Sequence, residues 1–173
     1  YQEGLEQLGK TLGYHALRPK YGTATDCRWR GVFGNAKEVI TFEAKIEHKL
    51  SKQIVPSHVG QAHNQFARAK TEYKPHGYIV RGTIVTHLTA IDSKAEASAG
   101  SIKVLPKTAI FELWTRVRTL LSLYRDDWSL DDISARSSAA ATIRAKLPAT
   151  GWLIRALDAD ERFITTEHLL AEW

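Results

Sequence analysis

Apolar residues along the chain fall into runs of distinct period, and each run predicts an element. Leu5, Leu8 and Leu12 recur at helical spacing and stop at Gly13, a residue suited to ending a helix, so residues 2–12 are expected to be helical. Tyr14 to Arg18 reads as extended. After Pro19 and Gly22, Thr23 to Phe33 alternates with period two, placing Cys27, Trp29 and Phe33 on one face and Asp26, Arg28 and Arg30 on the other. Gly34-Asn35 is a turn signal. Glu38 to Ile46 then predicts a third strand, with Ile40, Phe42, Ala44 and Ile46 on an apolar face and Thr41, Glu43 and Lys45 on a polar one.

Pro56 opens a helix that runs to residue 73, its stripe formed by Val59, Ala62, Phe66, Ala69 and Tyr73, while Gln61, Gln65 and Arg68 fall on another face. Tyr78 to Ile91 predicts the strongest strand, and a short polar segment leads to a further strand over Ser101 to Leu105. Beyond Pro106 a long amphipathic helix carries Ile110, Leu113, Trp114, Val117, Leu120, Leu121 and Tyr124. The remainder predicts helices from Ser129, over Trp152 to Leu157, and after Thr165 or Thr166, the first capped by Ser129 with Asp132 three residues on. This order implies an α/β sandwich with a central mixed sheet, a core over residues 1–125 and a helical C-terminal extension over 126–173. The chain reads as a segment of a longer protein.

Composition narrows the class. A chain of 173 residues, 43% hydrophobic and 25% charged, suits one compact domain and excludes a disordered, collagenous or disulfide-built protein. Cys27 is the only cysteine, best read as a small buried hydrophobe, so no intrachain disulfide forms and a reducing, cytoplasmic compartment is expected. No apolar run reaches the roughly 18 residues of a membrane span. The net charge of +5 is unevenly distributed: residues 1–118 are basic and residues 119–173 mildly acidic, which points the first part towards an anionic partner.

Candidate chemistry comes from acidic-x-Lys tripeptides, of which there are four: Glu43-Ala-Lys45, Glu47-His-Lys49, Glu72-Tyr-Lys74 and Asp92-Ser-Lys94. Two carboxylates and an amine around a divalent metal can hydrolyse phosphodiesters, because the metal neutralises phosphate charge and acidifies a water while the ammonium orients the attacking oxygen. Only Glu43 and Lys45 share a strand face backed by a continuous apolar one, with Asp26 on the neighbouring strand to complete the acid pair. Glu47 and Lys49 are the rival register, beyond the apolar support. His48, His58 and His63 lack paired ligand spacing and do not suggest zinc.

Thr25-Asp26 followed by Phe42-Glu43-Ala44-Lys45, with 16 residues between Asp26 and Glu43, resembles the motif of the PD-(D/E)xK nuclease superfamily, the restriction endonuclease-like fold. The opening Leu5-Glu6-Gln7-Leu8 through Leu12-Gly13-Tyr14 is similar to the first helix of Mrr-like restriction enzymes and archaeal Holliday-junction resolvases. The resemblance spans residues 1–115 and implies an αβββαβ core, Mg²⁺ or Mn²⁺ held about Asp26, Glu43 and Ala44, Lys45 as the water-orienting residue, and Glu6 and Gln61 as further members of the site. It implies cleavage of DNA, double-stranded in preference to single-stranded, in restriction, antiviral defence or repair. Lys20, Arg28, Arg30, Lys49, Lys52, Arg68 and Lys70 are candidate phosphate contacts, giving affinity without sequence readout. The alternatives are a catalytically silent nucleic-acid-binding module of the same fold and an RNA-cleaving nuclease. The C-terminal helices, with Trp128, Trp152 and Trp173, are expected to pack on the core or to meet a second copy, a flanking domain or a partner subunit.

Overall fold

A computed structural model of the chain describes residues 1–19, 26–46, 53–128 and 132–173. Helix α1 (Gln2–Thr11) turns Leu5, Leu8 and Gly9 inward and gives way at Gly13, whose φ of 88° is cheap only for glycine. Gly9 lies against the indole of Trp29, where an added Cβ would come within 2.5 Å of Nε1, so the helix packs on the sheet with no side chain between.

Strands β1 (His15–Leu17), β2 (Cys27–Phe33) and β3 (Ala36–Lys45) form an antiparallel meander. Gly34-Asn35 makes the turn between β2 and β3, with Phe33 opposite Ala36. Helix α2 (Pro56–Tyr73), with Pro56 in its first turn, and a 3₁₀ turn at Lys74–His76 carry the chain back to β4 (Ile79–Thr86), which runs parallel to β3. Helix α3 (Ser93–Ala99) makes the crossover to β5 (Lys103–Pro106), parallel to β4. The result is a five-stranded mixed sheet in the order β1-β2-β3-β4-β5. Helices α4 (Lys107–Trp128), α5 (Ile133–Lys146), α6 (Trp152–Leu157) and α7 (Thr166–Ala171) follow.

Three expectations change. The strand expected over 78–91 ends at Thr86, and Ile91 contributes only an isolated parallel bridge to Ile54. The polar segment expected before β5 is helix α3, capped by Asp92, which accepts from the amides of Lys94 at 2.9 Å and Ala95 at 3.4 Å. Its inward face consists of Ala95 and Ala99, too small to register as an apolar stripe. Helix α5 starts at Ile133 with Asp132 as its cap, accepting from the Ser134 amide at 2.7 Å; Ser129 lies outside the described residues.

Helices pack on both faces of the sheet, on the second face over β3, β4 and β5. Trp29, Ile40, Phe42 and Val85 pack against α1, α4, α6 and α7, whereas Val39, Val80, Ile84 and Val104 pack against α2 and α3. The helices expected to form an extension are thus built into the first layer: Trp152, Leu153, Leu157, Ile164 and Leu169 share its core. The chain after α6 also borders β5, since Val104 donates to the Arg162 carbonyl at 2.8 Å and Ile164 donates to the Val104 carbonyl at 2.9 Å. Lys103 Nζ on the Ala159 carbonyl and Arg81 Nε on Asp158 at 2.5 Å fasten the same segment. Among the described residues no helix is long and apolar enough to cross a membrane.

One carboxyl lies deep inside, away from the acidic-x-Lys motif. Glu38 on β3 is 1% exposed, and neither of its oxygens has a hydrogen bond of normal geometry. Burial pushes its pKa above the usual carboxyl range, while the Tyr14 hydroxyl and the Arg155 charge pull it back in part. A raised folded-state pKa means that Glu38 favours the folded protein most below the unfolded value of about 4.3, and that this contribution is lost as pH rises through the folded value. Glu38→Gln removes that ionisation. Urea unfolding of the two proteins across this range should show the stability difference moving in favour of the Gln variant as pH rises; a constant difference would refute it.

Candidate active site

The acidic-x-Lys tripeptide sits at the C-terminal end of β3. In a strand, residues two apart point to the same side, so Glu43 and Lys45 leave the sheet together, towards α2. That polar face is roofed by the helix, leaving Glu43 4% exposed. Lys45 Nζ lies 2.6 Å from Glu43 Oε1, and Gln65 Nε2 on α2 donates to Glu43 Oε2 at 2.5 Å. Both oxygens of this carboxylate are thereby oriented from opposite directions.

Asp26 stands just before β2, and β2 pairs with β3 so that Cys27 faces Phe42. That register brings Asp26 beside the tripeptide. Its Oδ2 accepts the backbone amide of Ala44 at 2.7 Å, and its Oδ1 accepts Gln2 Nε2 from α1 at 2.5 Å. Burial raises the Asp26 pKa, and the negative charge of Glu43 raises it further, against the Ala44 amide and the Lys45 ammonium, which lower it. The two carboxylates therefore feel each other, as a pair sharing one cation would.

Other expected members take different places. Glu6, one turn after Gln2, accepts from Lys10 Nζ at Oε1 and from Arg18 Nε at Oε2, each at 2.6 Å, and these bonds hold its pKa below the ordinary value. The α1 residue on Asp26 is thus Gln2. Gln61 is exposed on α2, and the glutamine that reaches the acid pair is Gln65, one turn further on and 7% exposed. Of the other tripeptides, Glu72 forms an ion pair with Arg28 at 3.2 Å, and Asp92 is the α3 cap. Glu47, Lys49, Lys20 and Lys52 lie outside the described residues.

Among the remaining candidate phosphate contacts, Arg28 lies over the Tyr73 ring at 5.1 Å from its centroid, Arg30 is half-buried and Arg68 is exposed. Lys70 lies over Phe66 at 5.5 Å; five residues beyond Gln65, it is turned about 140° round the helix from the acid pair. An open cleft beside the pair is lined by Tyr1, Gln2, Glu3, Arg18, Ala44 and Ile46.

The donors offered to a cation are hard oxygens. Among the described residues no group of three or more His, Cys, Asp or Glu side chains comes together as a metal cage. Two carboxylates and a main-chain oxygen suit a small divalent ion that keeps most of its own waters, as Mg²⁺ does, and do not suit zinc. Comparison with family models, curated proteins and solved structures finds no match to this chain.

Proposed function

We propose that the chain is a Mg²⁺-dependent endonuclease domain that hydrolyses DNA phosphodiester bonds, with Mn²⁺ as an acceptable substitute. The observation that carries this reading is the joint anchoring of the acid pair and the lysine: Asp26 accepts the amide of Ala44, the residue between Glu43 and Lys45, while Lys45 is paired with Glu43. A chance surface triplet would be solvated and unlinked. The motif and its spacing, which resemble those of PD-(D/E)xK nucleases, point the same way and extend the reading to restriction, defence against foreign DNA or repair.

Asp26 and Glu43 would hold the cation, with the Ala44 carbonyl as a third oxygen. Bound there, Mg²⁺ supplies charge neutralisation at the phosphate and a more acidic water. The chain's own residues do the rest. Gln2 and the Ala44 amide fix the orientation of Asp26, and Gln65 fixes that of Glu43. The Lys45 ammonium orients the attacking oxygen and offsets charge as one P–O bond forms and the bond to the leaving oxygen breaks opposite it.

Incubation of supercoiled plasmid with the folded chain tests the reading. Nicked and linear products are expected with Mg²⁺ and none with EDTA. Gln65→Ala should slow the reaction about 10–100-fold, the cost of losing a residue that orients a metal ligand, whereas exposed Gln61→Ala should stay within about twofold. Absence of cleavage with both Mg²⁺ and Mn²⁺, or an equal rate in EDTA, would overturn it.

A further inference from the structure

Helix α2 covers β3 and β4, and among the described residues no element covers the same face of β1 and β2 beside it. The side chains on that open face follow from the pairing: Leu17 stands next to Arg28, and His15 next to Arg30. Arg28 and Arg30, two residues apart on one strand, are separated by about 7 Å, near the step between successive phosphates of an extended strand. On α2 the residues Gln61, Gln65, Arg68 and Glu72 are spaced four, three and four apart and so form one stripe. Its orientation is set by two contacts, Gln65 on Glu43 and Glu72 on Arg28. Arg68, exposed and between them, borders the open face.

From this arrangement we infer that the β1–β2 ledge beside α2 is a binding track for a single strand of DNA, which it leads to the acid pair. The inference rests on the nuclease reading and departs from the duplex preference that the sequence resemblance implies. Among the described residues of the ledge, Arg28, Arg30 and Arg68 outweigh the carboxylate of Glu72, so the ledge suits a polyanion. Glu72 and the Tyr73 ring hold the Arg28 side chain, which is 20% exposed, in one position, so little entropy is lost when it meets a phosphate. Leu17, half-buried beside Arg28, and Val32, 56% exposed one step beyond Arg30, give aliphatic surface for sugars and bases. The floor is two strands wide, about 10 Å, and is bounded on one side by the helix. One sugar–phosphate chain lies along it with its unpaired bases free to meet Leu17 and Val32, whereas the bases of a double helix are stacked inside and do not reach that surface.

Fluorescence anisotropy in EDTA, where nothing is cut, reads the track directly. The probes are a labelled oligodeoxynucleotide of about 16 nucleotides, its duplex and the RNA of the same sequence. The Arg30→Glu, Arg68→Glu double variant of the whole chain should bind the single strand at least about tenfold more weakly, with a shallower salt dependence by about 0.7 per lost contact. The Arg118→Glu, Arg125→Glu double variant, an equal charge change at exposed positions on α4, should not reproduce the loss. Equal losses from both sites, tighter binding of duplex or RNA than of single-stranded DNA, or undiminished binding by the double variant would overturn the track. If cleavage fails in every metal while single-strand binding still falls with Arg30 and Arg68, the track stands and the nuclease reading does not.

Discussion

Asp26→Asn is expected to lower Mg²⁺-dependent cleavage by at least about 10²–10³-fold, the scale on which loss of one preorganised electrostatic group acts. Asn has nearly the shape of Asp and can still accept the Ala44 amide, so the thermal midpoint should barely move while the charge that holds the cation disappears. Lys45→Ala should cost a similar factor in rate for a different reason. The ammonium 2.6 Å from Glu43 competes with any cation for that carboxylate. Its removal should therefore leave Mn²⁺ binding intact or tighter, as read by calorimetry, whereas Asp26→Asn should weaken it. Equal loss of metal affinity in both variants, or cleavage unchanged in both, would refute the roles assigned.

The second large effect concerns the helical tail. Ending the chain after Leu147 should abolish the cooperative thermal transition and the near-ultraviolet dichroism. The segment removed buries Trp152, Leu153, Ile154, Leu157, Ile164 and Leu169 in the layer that also holds Trp29 and Phe42. Each such side chain is worth about 1.5–3 kcal/mol when buried, and together they match or exceed the net stability of about 5–15 kcal/mol of an ordinary domain. A shortened chain that melts cooperatively within about 5 °C of the full one would show instead that residues 1–147 are self-sufficient.

Much of the architecture is legible from local pattern, and the exceptions have physical causes. Helix α2 is announced by Pro56 at its start and by aliphatic and aromatic residues at helical spacing. The β2–β3 hairpin is announced by Gly34-Asn35 between alternating strands. Helix α3 hides because alanines alone make its buried face. In the site, strand alternation puts Glu43 and Lys45 together, and the hairpin brings Asp26 near. The choice between Gln61 and Gln65 is not a matter of period, since both lie on one stripe. It depends on how far along α2 the chain passes over β3. Gln2 reads as solvent-facing polarity at a helix start until the meander returns Asp26 to it, and Glu6 is captured by Lys10 on its own helix and Arg18 beyond. That an apolar helix must be buried is written locally, but the surface that buries α6 and α7 is not.

The strip of chain that borders β5 has a consequence for synthesis. Leu5 and Leu169 belong to one core, so α1, synthesised before the sheet and the other helices, waits for Leu169 before its apolar face is fully enclosed. Contacts so distant in sequence close slowly. Until they do, β5 presents an open edge and Trp29 and Phe42 lie under an incomplete roof. The nascent domain therefore carries its most aggregation-prone surfaces exposed until α7 has been made.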